Sequence, residues 1–240
     1  MRAIVVLPTY NERDNIGPFL RALRSVSDEI DVLVVDDGSP DGTASLARDL
    51  GEELGGVRVL ERTSKDGLGS AYRSGFTQVL DEGYDIVVSM DADLSHDPSV
   101  LPAMLASIDA GADVVIGSRY VDGGGTTDWP LRRRLLSRWG NAYTRRLLRL
   151  PTRDCTSGYR AYRATALRSI EPGTTTAEGY AFLTELVRRL GRQGFRIDET
   201  PIVFRDRTHG RSKMSGRIIV ESMFLVTRWG VRDRLPSRGR

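Results

Sequence analysis

Five short apolar, β-branched runs, Ala3 to Leu7, Asp31 to Val35, Val57 to Leu60, Asp85 to Met90 and Asp113 to Gly117, alternate with helix-period segments. The helical segments are Asn15 to Ser25, Thr43 to Leu54, Ser70 to Glu82 and Ser99 to Ala110, the last with Asp97 as its cap and Pro98 at its first position. Runs that are apolar at consecutive positions, rather than at every second one, suit strands buried on both faces of a parallel sheet. The alternation therefore predicts an α/β fold with a Rossmann-like, open, mostly parallel sheet flanked by helices. Crossovers in such a sheet are right-handed and ligands collect at the carboxyl ends of the strands.

Those strand ends are where polar residues gather. The first run leads into Pro8-Thr9-Tyr10-Asn11-Glu12, the second into Asp36-Asp37-Gly38-Ser39-Pro40-Asp41-Gly42-Thr43, and the fourth into Asp91-Ala92-Asp93. No G-x-G-x-x-G follows the first strand, which argues against an NAD or FAD oxidoreductase. Two carboxylates two residues apart offer hard oxygen ligands through which a divalent cation can be bridged to a diphosphate. The competing reading of Asp91 and Asp93 is a solvated acidic turn. Asp37 stands where an acidic residue can hydrogen-bond a ribose or base edge, and it can equally close an Asx-turn ahead of Gly38. Tyr10 can offer a flat face to a base or simply pack.

With 240 residues, 40% of them hydrophobic, the chain can bury one sizeable core, and nothing in it reads as an interdomain linker or an internal repeat. Its single cysteine, Cys155, allows no internal disulfide, which fits a reducing compartment. Ala3 to Leu7 is too short for a signal-peptide core, and no stretch approaches the roughly 20 apolar residues of a spanning helix. A cytoplasmic chain, soluble or peripheral, is the expectation. Net charge is +3, and Lys65 and Lys213 are its only lysines, so arginine abundance alone carries little weight. Past Arg119 the pattern changes. A Gly123-Gly124-Gly125 loop leads to an Arg- and Leu-rich stretch from Trp129 to Leu150, then Asp154 to Arg163, a helical segment near Tyr180 to Leu190, and Arg205 to Lys213.

The strand-end motifs, with Lys65-Asp66-Gly67-Leu68-Gly69-Ser70-Ala71-Tyr72, Gly117-Ser118-Arg119-Tyr120, Thr156-Ser157-Gly158-Tyr159-Arg160 and Ser212-Lys213, occur in an order that closely resembles glycosyltransferase family 2. Within it they resemble the dolichol- or polyprenol-phosphate mannosyltransferases, from residue 3 to about 225. The resemblance implies a GT-A fold forming one catalytic domain over 1–230, with a nucleotide-binding half to about 120, an acceptor-binding half to about 230 and a disordered tail over 231–240. It implies metal-dependent, inverting transfer of mannose from GDP-mannose to a polyprenyl (dolichyl) monophosphate. A UDP-sugar enzyme acting on the same lipid is the alternative within the class. A non-catalytic basic module for nucleic acid or membrane is the alternative outside it, and a carboxylate pair in the cleft argues against a nucleic acid partner.

Residue by residue, the resemblance implies donor binding by Pro8, Tyr10, Glu12, Val35, Asp37, Asp91, Ala92, Asp93, Arg119, Arg207 and Lys213, with Val35 and Ala92 acting through their backbones. Asp91 and Asp93 would hold Mg²⁺ or Mn²⁺, and Asp93 and Arg119 would be catalytic. Some relatives supply a further metal ligand from a Gln at the position of Ser95, so a third protein ligand is not implied here. Arg119, Arg133 and Ser137 would hold the acceptor phosphate. Arg205 and Arg211 read as solvated, and His96 and His209 as turn packing. No general base is required, because a phosphate monoester with a second pKa near 6 is already a nucleophile at pH 7.

Trp129, Leu131, Leu135, Leu136, Trp139, Tyr143, Leu147 and Leu150 recur at near-helical spacing, with Arg132, Arg134, Arg138, Arg145, Arg146 and Arg149 between them. Such a helix can lie in an anionic membrane interface, or its apolar side can pack on the sheet. Ile218 to Val231 is a second amphipathic stretch. Many relatives continue into membrane spans beyond this point, whereas a polar segment from Arg232 to Arg240 follows here. The expectation is peripheral attachment to the cytoplasmic face of a membrane, with a membrane-anchoring partner protein as a further expectation.

Overall fold

The computed structural model describes residues 1–206 and 216–234, apart from the side chains of Tyr180 and residues 216–219. Its strands are β1 (Ala3–Thr9), β2 (Asp31–Asp36), β3 (Val57–Glu61), β4 (Ile86–Ser89), β5 (Val114–Ser118), β6 (Gly125–Thr126), β7 (Arg160–Arg163), β8 (Ile197–Pro201) and β9 (Val203–Phe204). Its helices are α1 (Arg13–Val26), α2 (Thr43–Leu54), α3 (Leu68–Asp81), α4 (Leu101–Asp109), α5 (Leu131–Leu148), α6 (Ala164–Ser169), α7 (Gly179–Arg192) and α8 (Gly216–Arg232). A 7-stranded sheet runs β3-β2-β1-β4-β7-β5-β8, and β6 pairs with β9 beside it. All neighbours are parallel except β7, which is antiparallel to both β4 and β5.

The consecutive apolar positions of the central strands serve two cores at once. Ile4 and Val6 of β1 join Val35, Phe76, Val87, Ile116 and Phe182 on one face of the sheet. Val5 and Leu7 join Val34, Phe19, Leu20, Val88 and Met104 on the other. Each such aliphatic side chain, removed fully from water, contributes about 1.5–3 kcal/mol. The α3 helix lies so close to the sheet that a Cβ on Gly75 would meet Val6 Cγ1 at 2.5 Å and Val35 Cγ2 at 3.0 Å. Asp97 caps a 3₁₀ turn over Pro98–Val100 that feeds α4, accepting a hydrogen bond from the Ser99 N–H at 2.9 Å.

Two features differ from expectation. The stretch from Asp154 to Arg163 contains β7, which enters the middle of the sheet between β4 and β5, so residues beyond 120 build the same sheet as those before it. Residues 231–234, expected in the tail, belong to the fold: α8 reaches Arg232, and Asp233 accepts from Arg188 Nε and Arg192 Nη1, each at 2.7 Å. Residues 235–240 lie outside the described residues. Among the described residues no helix is long and apolar enough to cross a membrane.

Candidate active site

The carboxyl ends of β1, β2 and β4 open into one cleft. In the Asp36-Asp37 pair the two carboxylates have different tasks. Asp36 is buried and organises the turn, accepting from Thr9 Oγ1 at 2.9 Å, the Ser39 N–H at 2.8 Å and Ser39 Oγ at 2.6 Å. Asp37 lines the cleft and pairs with Arg62 Nη1 at 2.7 Å. Burial pushes the Asp37 carboxyl up from its ordinary range, against the pull of Arg62.

Pro8, Tyr10, Glu12, Asp37, Asp91, Ala92 and Asp93, all expected to contact the donor, are brought together along this cleft, with Lys65 and Glu178, which sequence reasoning did not select. The Lys65 ammonium sits 3.7 Å from the centroid of the Tyr10 ring and so covers one of its faces. Glu178 accepts from the Gly69 N–H at 2.9 Å and pairs with Arg73, joining the starts of α7 and α3 at the cleft wall. Val35 is not among the residues that line the cleft. Its side chain is fully buried, and its position in β2 is flanked by Pro8 of β1 and Leu60 of β3, which commits its backbone to the sheet. Arg207 and Lys213, the other expected donor contacts, lie outside the described residues, as does His209.

A second cavity adjoins the first. Arg119, Arg133 and Ser137, the three residues expected around the acceptor phosphate, line it together, and Asp91, Gly158 and Ser222 line both cavities. Arg133 lies 4.0 Å from the Trp129 ring centroid and pairs with Asp206 at 3.0 Å. Ser137 Oγ shares a hydrogen bond with the Tyr120 hydroxyl at 2.6 Å. The Trp129 indole N–H and the Ser157 hydroxyl are buried without a partner among the described residues, and both residues belong to the wall of this cavity. Buried donors of this kind are rare in a folded protein and point to a ligand or water that satisfies them.

Arg119 is itself buried and held by a residue the sequence reading missed. Its Nε and Nη2 donate to the two carboxylate oxygens of Asp154, each at 2.7 Å, and its backbone N–H adds a third bond at 3.0 Å. Asp154 also accepts the Ser157 N–H at 3.1 Å, so one fully buried carboxylate fixes both Arg119 and the loop that separates the cavities. Burial alone would push this carboxyl up, but Arg119 and the surrounding N–H donors hold it below the usual range. Behind that loop, the buried Arg160 guanidinium donates to the carbonyls of Cys155, Ser157 and Leu183 at 2.9, 2.8 and 2.7 Å.

Asp91 and Asp93 are the candidate metal ligands. Among the described residues no group of three or more His, Cys, Asp or Glu gathers to enclose an ion. Two carboxylates at the mouth of a cleft nevertheless suit Mg²⁺ or Mn²⁺, which keep several ligands from phosphate and water. The donor set fits a metal shared with a diphosphate rather than one caged by protein. Asp93 is buried and accepts the Ser95 N–H at 3.1 Å, while Ser95 Oγ has no partner among the described residues. His96 packs between Tyr159 and Phe204, with its Nδ1 3.4 Å from the Asp91 N–H, in keeping with the packing expected of it. Burial pulls its imidazole down to about 4, although Asp93 acts in the opposite sense.

The α5 and α8 helices form the outer wall. Their contact is marked by a 2.8 Å hydrogen bond between the Tyr143 hydroxyl and Thr227 Oγ1. The apolar residues of the Arg/Leu stretch divide between the interior and the surface. Trp129, Leu148 and Leu150 are buried, whereas Leu131, Leu135, Leu136 and Trp139 are exposed, as are Val220, Phe224 and Val231 of α8.

A sequence model of the family described as Glycosyl transferase family 2 matches residues 4–171. The chain is 47% identical over 240 residues to a polyprenol monophosphomannose synthase of Mycolicibacterium smegmatis, covering 99% of this chain and 91% of that protein. It is 48% identical over 234 residues to an undecaprenyl-phosphate mannosyltransferase of Micrococcus luteus, covering 98% and 96%. Among solved structures, a mannosyltransferase of Pyrobaculum calidifontis in complex with GDP-Man and Mn²⁺ superposes with a TM-score of 0.68 at 21% identity. That match covers 98% of this chain but 65% of the other, just under two thirds of its length. The mannosyl-3-phosphoglycerate synthase of Rubrobacter xylanophilus superposes with a TM-score of 0.70 at 18% identity, covering 100% of this chain and 77% of that one. At these identities the two structures speak to the fold.

Proposed function

The chain belongs to glycosyltransferase family 2 and has the GT-A fold, and from that premise we propose that it transfers mannose, with inversion, from GDP-mannose to a polyprenyl (dolichyl) monophosphate. The names of its two close relatives support the acceptor and the sugar, and the GDP-Man and Mn²⁺ of the Pyrobaculum structure support the donor and a divalent cation. The observation that carries the proposal is the meeting of two unlike cavities at Asp91 and Gly158. One is lined by Asp37, Asp91, Asp93 and Glu178 with Lys65, the other by Arg119 and Arg133, paired to Asp154 and Asp206, and by apolar side chains, which suits a metal-bound diphosphate on one side and a lipid phosphate on the other.

Asp91 and Asp93 would hold Mg²⁺ or Mn²⁺, which offsets charge on a leaving nucleoside diphosphate. Asp37 and Tyr10, which line the cleft, would receive the nucleoside. Arg119, oriented by Asp154, and Arg133 supply positive charge for a dianionic acceptor, and Ser137 a hydroxyl beside it. Such an acceptor needs no deprotonation, so the protein's task is to hold two anionic reactants in line and exclude water. Its rate should therefore fall as pH drops through about 6.

The exposed apolar side chains of α5 and α8 beside exposed arginines suit peripheral docking at the cytoplasmic face of a membrane, where a prenyl phosphate is found. A membrane-anchoring partner protein remains compatible with this arrangement. The test presents GDP-mannose, UDP-glucose and UDP-GlcNAc in turn with polyprenyl phosphate and Mn²⁺ or Mg²⁺, and measures lipid-linked sugar. Product from GDP-mannose supports the proposal; product from a UDP-sugar alone would reassign the donor.

A further inference from the structure

Gly140 lies inside the 18-residue helix α5, where a glycine is less favourable than an alanine because it forfeits more backbone freedom on folding. The fold itself does not require it. Its φ is not positive, and among the described residues a Cβ built on it meets nothing within 4 Å. The contrast with Gly230, on the facing helix α8, is informative. There a Cβ would lie 2.5 Å from Leu147 Cγ, so the close approach of α5 and α8 accounts for that glycine. At Gly140 no described residue fills the space, and Gly140 is part of the wall of the cavity that also holds Arg119 and Arg133.

The lining of that cavity is amphipathic. Arg133 and Ser137 share a face of α5 with Gly140, at helical spacings of seven and three residues. Leu136 and Trp139 of α5 and Met223 and Val226 of α8 supply its apolar surface. A ligand fitting this lining has an anionic head and a hydrocarbon chain bonded directly to it. We infer that Gly140 is a specificity-determining position, kept free of a side chain so that the first isoprene units of a prenyl phosphate can pass between α5 and α8. The inference rests on the acceptor assignment made above and names the route of its chain.

The test uses Gly140→Ala and Gly140→Leu in the full chain, with undecaprenyl phosphate in detergent as acceptor. Gly140→Ala raises the thermal unfolding midpoint, since alanine is the better helix former and has room, yet raises the acceptor KM. Gly140→Leu raises the acceptor KM about tenfold or more. In both variants the KM for GDP-mannose is unchanged, a split that general damage to the fold would not give. A stabilised Gly140→Ala with wild-type acceptor KM overturns the inference, whether or not the leucine variant folds. If the wild-type enzyme mannosylates no prenyl phosphate at all, the acceptor assignment fails first and the inference falls with it.

Discussion

A Cβ added to Gly158 would stand 3.3 Å from both carboxylate oxygens of Asp91. The contact arises because β7 runs antiparallel to β4, with Arg160 opposite Ser89, so that the residue two before Arg160 comes to face the residue two after Ser89. The Ser89 hydroxyl secures the approach by donating to the Gly158 carbonyl at 2.7 Å. Gly158 does not have a positive φ, so it is the neighbouring carboxylate rather than the backbone that asks for a glycine.

Gly158→Ala is therefore expected to fold normally and to act through Asp91. Crowding the carboxylate by a few tenths of an ångström would disturb the proposed metal site, where little misplacement is tolerated, and kcat/KM for GDP-mannose should fall by about 10²-fold. Steady-state kinetics alongside a thermal melt checks this. An unchanged kcat/KM would separate the loop from the metal site.

Asp154→Asn is expected to cost about 3–5 kcal/mol at neutral pH, because it leaves the buried Arg119 charge without its carboxylate. The folded carboxyl lies below its ordinary range, so the stability it contributes is present above the unfolded value of about 4 and is lost as pH falls through the lower folded value. The gap in denaturant midpoint between wild type and variant should accordingly be widest near neutrality and shrink below about pH 4. A gap independent of pH would mean that the pair is not ionised as described.

Much of this arrangement is legible in the sequence. The strands β1, β2, β4 and β5 declare themselves by consecutive β-branched residues, and the turns after them by Asp and Gly, because burial on two faces and tight strand-to-helix turns leave few other choices. The β7 strand does not, since Arg160-Ala161-Tyr162-Arg163 reads as neither an apolar run nor an alternation. Its Arg160 is buried because three carbonyls satisfy it, those of Ser157 and Cys155 close by and that of Leu183 on another element, and no local pattern reports the last. Asp154 was missed for the same reason, as its partner is 35 residues away among many arginines. Its place two and three residues ahead of Thr156 and Ser157, whose N–H groups it accepts, was the available hint.

Leu135→Asp combined with Phe224→Asp tests the proposed membrane face without touching either cavity, since neither residue lines one. Each is more than half exposed, and an apolar side chain of this size is worth about 1.5–3 kcal/mol when buried. Binding to vesicles containing anionic lipid should weaken at least about tenfold, while transfer to a short, water-soluble prenyl phosphate is unaffected. Undiminished vesicle binding would place the membrane contact elsewhere.

The most direct test of the account is incorporation of labelled mannose from GDP-mannose into polyprenyl phosphate, followed for the wild-type protein, the same protein with EDTA, and folded Asp93→Asn. Wild-type activity should vanish with chelator and return with Mn²⁺ or Mg²⁺. Asp93→Asn should stay at least about 10²-fold below wild type with either ion, because a neutral amide is a poorer ligand than a carboxylate. Mannose transfer that persists in EDTA, or a folded Asp93→Asn with wild-type turnover, would contradict the assignment of this cleft.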